Sequence, residues 1–434
     1  MNRLKSLLRW GRVVLSVLTI ATLISPALVF GQANSGMINE LKNKIDDRNN
    51  QIQQLDQEIK QYQGQIQVVG AQANTLQNVV KELDINQKKL STEIRVTETN
   101  ISKTSLNIDK LNLEIANSER QIGINTSAIA KSLRDIAYSE NDSLIETILA
   151  NRNINELWNN LEQLRQIQVG LKDSTDALQL YKDDLEAKKS ALLGEKVQLV
   201  SFKDKLGDQK EIVDINKKEK DRLLTETKNQ EATYKQILAQ KVKQKEQFEQ
   251  ELFEFESQLK IAIDPSKIPA SKSGVLDWPL SNVYITQPFG KTVDSHRLYV
   301  SGTHNGIDLR ASRGTPILAA RAGVIQAVGN TDAQRGCYSY GQWILIKHDN
   351  GLSTLYAHLD LIKANTNQTV QAGEIIGYSG QTGYATGPHL HFTVYASEGV
   401  RVQQYISSIN CKNVTIPVAD SKAYLDPMSY LPAI

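Results

Sequence analysis

Proline is absent from more than half of this 434-residue chain, since none occurs between Pro26 and Pro265. Proline inside a helix removes a backbone hydrogen bond and clashes with the preceding turn, so this gap permits very long helices. Prolines return from Pro265 onward, together with most of the glycines, a composition typical of a turn-rich β domain. The proline pattern therefore predicts two regions of different architecture.

An excess of charge of either sign is also absent, because 50 basic residues stand against 48 acidic ones. This balance suggests no nucleic-acid partner. Histidine is scarce and unevenly placed, and we expect the chemistry of the protein where it is concentrated, near the C-terminal end. The histidines are His296, His304, His348, His358, His389 and His391.

The N-terminal apolar run, Val13 to Ile24, is short for a bilayer span and is followed by Pro26. Basic residues precede it and small residues follow it, a pattern that predicts a Sec-type signal peptide over residues 1–33. An uncleaved membrane anchor is the alternative. Either interpretation places the bulk of the protein outside the cytoplasm, in the periplasm or at the cell surface.

Cysteine occurs only at Cys337 and Cys411. In a chain expected to enter an oxidising compartment, this pair predicts a single disulfide. Metal binding by the two thiolates is the alternative, but histidines already supply enough ligands for a site.

Apolar residues recur at alternating spacings of three and four from Ile38 to Ile122, which indicates a coiled-coil seam. A second proline-free stretch follows, so that residues 34–132 and 169–262 form two arms of nearly equal length. We therefore expect an antiparallel helical hairpin over residues 34–262, with its tip near 133–168. The alternative is a parallel homodimeric coiled coil without a hairpin.

The remainder of the chain reads differently. A segment rich in proline, serine and lysine predicts a linker at residues 263–275. Residues 276–434 then alternate short β-branched runs with glycine turns, which predicts an all-β domain. The expected fold is thus multidomain, a long antiparallel coiled-coil hairpin followed by a β domain.

Polar residues at even spacing mark three segments of this domain, GTHNGIDLR, TLYAHL and TGPHLHFTV. Residues two or four apart on a strand share a face, so His304 with Asp308, and His389 with His391, can converge on one point. Two imidazoles and one carboxylate are a common zinc ligand set that leaves a fourth position for water.

His358 in the second segment brings the candidates to five. Two candidates would remain after a metal takes three, and neutral imidazoles suit proton transfer near pH 7. We expect His348 and His296 to be structural or exposed at the surface.

Residues 276–434 resemble the LytM or lysostaphin-type metallopeptidase family, whose small β domain has the duplicated hybrid motif fold and a groove. The family motifs H-x-G-x-D, Y-x-H-L and T-G-P-H-L-H-F stand here as HNGID, YAHL and TGPHLHF. The resemblance implies one zinc ion held by three of the candidates, and the other two acting on the water and the transition state. The implied ligands are His304, Asp308 and His391, and the implied catalytic pair is His358 and His389.

The family typically hydrolyses peptide bonds of peptidoglycan. Thr393 stands where many members have glutamate, which leaves the ligands intact but leaves substrate preference open.

The N-terminal two thirds is similar in layout to EnvC-like coiled-coil LytM proteins. In such proteins the hairpin can dock on a division-site ABC transporter, a helix can cover the groove, and some members activate other hydrolases instead of cutting. We therefore carry two hypotheses, a zinc endopeptidase of peptidoglycan cross-links and a noncatalytic activator or scaffold. A hairpin that restrains the catalytic domain would join the two.

Overall fold

The computed structural model describes residues 25–70, 75–139, 154–258, 270–291, 302–385, 387–405 and 408–434. His296 lies outside these residues, as do residues 1–24 of the predicted signal peptide, 263–269 of the predicted linker and 140–153 of the predicted hairpin tip. Among the described helices none is both long and apolar enough to cross a membrane. The chain divides into two compact units, one drawn from residues 1–54 and 96–206 and the other from 55–95 and 207–434.

Long helices make up the N-terminal region: α1 (Ser25–Gly70), α2 (Leu76–Ser139), α3 (Ile154–Thr227) and α4 (Glu231–Gln258). In the first unit Asn107 donates to Glu195 at 3.0 Å and Ser118 donates to Asp184 at 3.0 Å. Since the α3 partner number falls as the α2 number rises, the two helices are antiparallel. The prediction of long antiparallel helices before an all-β domain is confirmed.

The first arm differs from the single helix that the periodicity predicted. α1 ends at Gly70, and in the second unit its Ile66 and Val69 pack against Ile85 of α2. Because Thr92 also donates to Glu58 at 3.2 Å, α1 runs antiparallel to the start of α2.

Local signals accompany this change of direction. Glycine is common where helices end, and α1 ends at Gly70. Thr75 then caps α2, because its hydroxyl accepts from the amide of Asn78 at 3.2 Å. The apolar register continues across the reversal, which is why periodicity alone did not reveal it.

The β domain has one ten-stranded antiparallel sheet among its described residues. Its strands are β1 (Ile285–Gln287), β2 (Ile307–Arg310), β3 (Pro316–Leu318), β4 (Gly323–Asn330), β5 (Gln342–His348), β6 (Leu352–Ile362), β7 (Thr369–Val370), β8 (Ile375–Ser379), β9 (His389–Ala396) and β12 (Tyr424–Leu425). The strands pair in the order β1-β2-β9-β6-β5-β4-β7; β12 pairs with β9, and β8 joins β3 to β6. One core cluster, which includes Ile344, Leu359 and Phe392, is built from this sheet and from the segments that flank its strands.

A second sheet pairs β10 (Val400–Tyr405) with β11 (Val414–Ala419). Its core cluster includes two residues of α4, Phe248 and Leu252. The rings of Phe248 and Tyr405 meet edge to face with centroids 6.0 Å apart. Helix α4 is therefore packed into the β domain through apolar side chains.

A disulfide joins Cys337 to Cys411 and closes a loop of 74 residues in sequence separation. Beside it, Asn410 donates to Gln247 of α4 at 3.0 Å. The disulfide thus ties together segments of the β domain that α4 contacts.

The start of α2 and the end of α3 also pack on the β domain within the second unit. Leu90 and Ile212 are fully buried against Tyr378. Asp208 accepts from Lys363 at 2.6 Å and from the Tyr378 hydroxyl at 2.9 Å.

Candidate metal centre

Paired strands bring the sequence-predicted ligands together. In the antiparallel β2–β9 pair, Asp308 lies opposite His391. Opposite residues of an antiparallel pair point to the same face, so this register sets the carboxylate beside the imidazole. His304 precedes β2 and is held by an isolated β-bridge to Gly290.

The donor atoms of these three residues form a compact cluster. His304 Nε2 lies 3.1 Å from His391 Nδ1, and Asp308 Oδ1 lies 2.9 Å from His391 Nδ1 and 3.3 Å from His304 Nε2. Tetrahedral zinc with bonds of about 2.0–2.1 Å would set its donors about 3.3 Å apart. The residues therefore fit such an ion, and they form a candidate metal site.

Neighbouring acceptors fix which ring nitrogens face the cluster. His304 Nδ1 lies 3.0 Å from the Pro288 carbonyl, which can only accept, so Nε2 keeps its lone pair for a metal. A metal at His391 Nδ1 requires the proton on Nε2, and the Thr393 hydroxyl lies 3.0 Å from that atom. The Thr393 hydroxyl can thus accept a hydrogen bond from the Nε2–H group.

Charge at the cluster is balanced by opposing effects. Burial alone would raise the pKa of Asp308, but His389, His304 and His391 outweigh burial and hold its pKa well below the usual value. Burial lowers the pKa of His391, against the attraction of Asp308. One carboxylate and two neutral imidazoles are the protonation states that a metal requires of these ligands.

His358 and His389 lie at the same place. Their ring centroids are 4.8 Å apart, and His389 Nε2 lies 3.6 Å from Asp308 Oδ1. Each donates through Nδ1 to a backbone carbonyl at 2.8 Å, His358 to Thr382 and His389 to Gly387. In the neutral rings Nε2 is then the atom able to take a proton.

The backbone and surroundings of His358 are unusual. Its φ is +61°, a left-handed conformation that non-glycine residues seldom adopt. Burial, followed by the proximity of His389 and His391, lowers its pKa well below the ordinary value. The imidazole is therefore neutral near pH 7 and able to accept a proton.

Gly306 in the HNGID motif is needed for close packing. A Cβ there would lie 2.5 Å from the Phe392 carbonyl oxygen and 2.9 Å from His391 Cε1. The HNGID motif by itself gives no physical role for this glycine. The approach of β9 supplies that role.

The five site residues line a cavity of about 560 Å³. One wall consists of α4 side chains, among them Lys245, Phe248, Leu252 and Glu256. Tyr340 and Tyr424 of the β domain also line it. Sequence reasoning missed these residues, because only the tertiary fold brings α4 to the site.

His348 lies elsewhere in the domain. Its Nδ1 is 3.0 Å from the Ala322 carbonyl and its Nε2 is 2.8 Å from the Thr354 hydroxyl. Burial lowers the pKa of this ring to about 4. It has the buried, hydrogen-bonded environment of a structural histidine.

An all-β domain that holds two histidines and a carboxylate beside two more histidines in an open cavity has the organisation of a metal-dependent hydrolase. Residues 302–404 match the model of peptidase family M23, and the C-terminal domain is an M23 peptidase domain.

Relatives of known description match the same part of the chain. The DD-carboxypeptidase/endopeptidase Mpg of Neisseria meningitidis serogroup B is 38% identical over 129 residues, which are 30% of this chain and 28% of that protein. The peptidoglycan DD-endopeptidase ShyA of Vibrio cholerae is 35% identical over 119 residues, 27% of this chain and 24% of that protein. The chain thus spans less than a third of either relative.

Among solved structures, the catalytic domain of lysostaphin from Staphylococcus simulans is similar. It is 28% identical, and the match covers 34% of this chain and 90% of that one with a TM-score of 0.25.

Proposed function

We propose that this chain is a zinc-dependent endopeptidase that cleaves peptide cross-links of bacterial peptidoglycan during cell-wall remodelling or cell separation. The observation that carries the proposal is the cluster of His304, Asp308 and His391 with His358 and His389 in one cavity. The relatives described as a DD-carboxypeptidase/endopeptidase and a peptidoglycan DD-endopeptidase support the choice of bond and substrate.

His304, Asp308 and His391 would hold the zinc ion. Zinc bound there would polarise the scissile carbonyl and lower the pKa of a bound water. His358, neutral and oriented through its bond to Thr382, would accept a proton from that water. His389, anchored to Gly387, would stabilise the transition state from the other side.

The position of helix α4 supports the proposal that access to the cavity is restricted. Phe248 and Leu252 are buried in the domain core, so α4 is anchored while it forms a wall of the cavity. A space of about 560 Å³ suits a small ligand rather than a polymer. We propose that α4 must move before cross-linked peptidoglycan enters.

The noncatalytic activator is the second candidate, and the helical cover over the cavity favours it. The complete ligand set weighs against it as the whole function, because an activator needs no metal cluster.

The setting of the enzyme follows from the same features. M23 peptidases act on the cell wall, and a disulfide persists in an oxidising compartment, which supports an extracytoplasmic location. A signal peptide or anchor at residues 1–33 would deliver the chain there. Docking of the hairpin on a division-site ABC transporter is proposed from its layout alone.

Digestion of purified peptidoglycan by the full-length chain tests the function, with muropeptides analysed by mass spectrometry with and without a chelator. We expect chelator-sensitive loss of cross-linked dimers. Asp308→Ala should lose zinc, whereas His358→Ala should keep zinc and slow hydrolysis by about 10²–10⁴-fold. If folded, zinc-loaded protein released no muropeptides even under conditions that free α4 from the domain, the noncatalytic activator would be favoured.

A further inference from the structure

Glu256 of α4 enters a polar pocket at the edge of the metal cavity. Its Oε1 accepts from the Ala419 amide at 2.9 Å and from the Tyr424 hydroxyl at 2.8 Å. Both donors belong to the β domain, and Glu256 and Tyr424 line the same cavity as the histidines. A carboxyl group from a separate helix therefore occupies donors of the peptidase domain.

Two more buried hydroxyl groups lie near Glu256, and one of them, that of Tyr340, lines the cavity. Tyr340 and Tyr395 are 7% and 0% exposed, and their hydroxyls lie close to one another and to the Tyr424 hydroxyl without full hydrogen-bond geometry. Burial and then the Glu256 carboxylate raise the pKa of Tyr340. Because a tyrosine hydroxyl can both donate and accept, the Tyr340 hydroxyl at the cavity wall can donate to a bound ligand.

The pocket adjoins the reaction centre. The Tyr340 ring lies 6.3 Å from the His391 ring between centroids, and the Tyr340 carbonyl accepts from the His358 amide at 2.9 Å. A group bound by Tyr340 and Tyr424 would thus belong to the same peptide whose bond lies at the metal.

We propose that the Ala419 amide and the hydroxyls of Tyr424 and Tyr340 form a carboxylate-binding subsite of the peptidase, and that Glu256 fills it while α4 is docked. The ligand is a free carboxylate of a peptide substrate, an identity that rests on the proposed function. Glu256 then acts as an internal competitor, and substrate and α4 exclude each other at one set of donors.

The environment of Glu256 is consistent with exchange. Burial raises its pKa to about 7, although its bonds to Ala419 and Tyr424 oppose this rise. A peptide carboxylate at the same donors would meet the same desolvation cost and the same hydrogen bonds, so burial favours neither carboxyl over the other.

Binding of two matched probes tests the subsite without catalysis. Acetyl-D-alanyl-D-alanine and its C-terminal amide differ only in the carboxylate, and both are titrated calorimetrically into the zinc-loaded full chain carrying Glu256→Ala. We expect the acid to bind at least tenfold more tightly than the amide. Adding Tyr424→Phe should reduce this preference to threefold or less, and Glu256→Gln, which keeps the pocket filled, should show little binding of either probe.

Equal affinity for the acid and the amide in the Glu256→Ala chain would overturn the proposal. The wild-type chain supplies an independent measurement if that variant does not fold, since the acid alone should accelerate limited proteolysis within α4. An unchanged cleavage rate with both probes would likewise overturn it. A preference for the acid in a chain that never cuts peptidoglycan would keep the subsite and reject the endopeptidase.

Discussion

At the scale of single residues, the site depends on side chains that hold the ligands as well as on the ligands. Thr393 is fully buried, with its hydroxyl 3.0 Å from His391 Nε2. Such a partner orients the ring and fixes its protonated nitrogen. The threonine can therefore hold the His391 ring with Nδ1 free to face a metal.

Thr393→Val, which removes only the hydroxyl, should weaken metal binding by about 10–100-fold, the usual effect of losing a hydrogen-bond partner of a ligating histidine. Thr393→Ser should retain nearly native affinity because it keeps the oxygen. Competition with a chromogenic chelator measures both. An unchanged metal affinity in the valine variant would show that His391 needs no such acceptor.

Part of the site could be grouped from spacing, because His389 and His391 are two residues apart on β9 and share a face. The pairing of Asp308 with His391 depends on strand register, which spacing does not report. His358 was singled out by its motif and not by spacing.

The roles of Gly306 and Glu256 could not be predicted from the sequence. The first depends on how closely β9 approaches, and the second on contacts between residues 163 and 168 positions apart. No local pattern reports such packing.

At the scale of elements, α4 is held by one side of its surface. Phe248 is 2% exposed in the domain core, whereas Phe253 on the same helix is 49% exposed. The proposed release of α4 therefore requires that its anchored face leave the domain core.

Phe248→Ala should cost α4 docking about 3–5 kcal/mol, because it removes a buried aromatic ring. We expect faster peptidoglycan hydrolysis and faster proteolysis within α4. Gln250→Ala, at an exposed position of α4 that does not line the cavity, is the control and should change both rates little. A slower enzyme with full metal content would mean that α4 assists substrate binding more than it restrains access.

The docking of α4 should also depend on pH through Glu256. Its folded pKa of about 7 lies above the ordinary value of 4.5, so the docked helix favours the protonated acid. The stabilisation is full below about pH 4.5 and is lost as pH rises through about 7, by on the order of 3 kcal/mol. Limited proteolysis of α4 should become faster as pH rises from 5 to 8, and Glu256→Gln should make the proteolysis rate less dependent on pH.

Long helices and the all-β domain could be predicted from the missing prolines and the glycine turns. The reversal between α1 and α2 could not, since the apolar spacing continues from Ile38 to Ile122 on both sides of it. Gly70 and Thr75 are signals for a helix end and a helix cap, but glycine and threonine also occur in the middle of helices. The packing of Ile66 on Ile85 distinguishes a chain reversal from one continuous helix.

At the scale of the whole molecule, the disulfide joins two regions that both contact α4. Lys241 lies 5.1 Å from the centre of the Tyr338 ring next to Cys337, and Gln247 accepts from Asn410 next to Cys411. Losing the disulfide should thus affect the domain and its helix together.

Replacing Cys337 and Cys411 by serine should lower the free energy of unfolding of the domain by about 4 kcal/mol, as expected for a closed loop of this length. Thermal denaturation with and without reductant measures it, and the serine variant should no longer respond to reductant. An unaltered melting temperature would show that the packing of β10 and β11 alone holds these segments.

Helix α4 ends at Gln258 and the described β domain begins again at residue 270, so the helix and the cavity it lines belong to one chain with a short connection. A released α4 would face its own domain at an effective concentration on the order of millimolar. Closing is therefore independent of how dilute the protein is. A signal that opens the enzyme must hold the helix away continuously, and hydrolysis should stop soon after that hold ends.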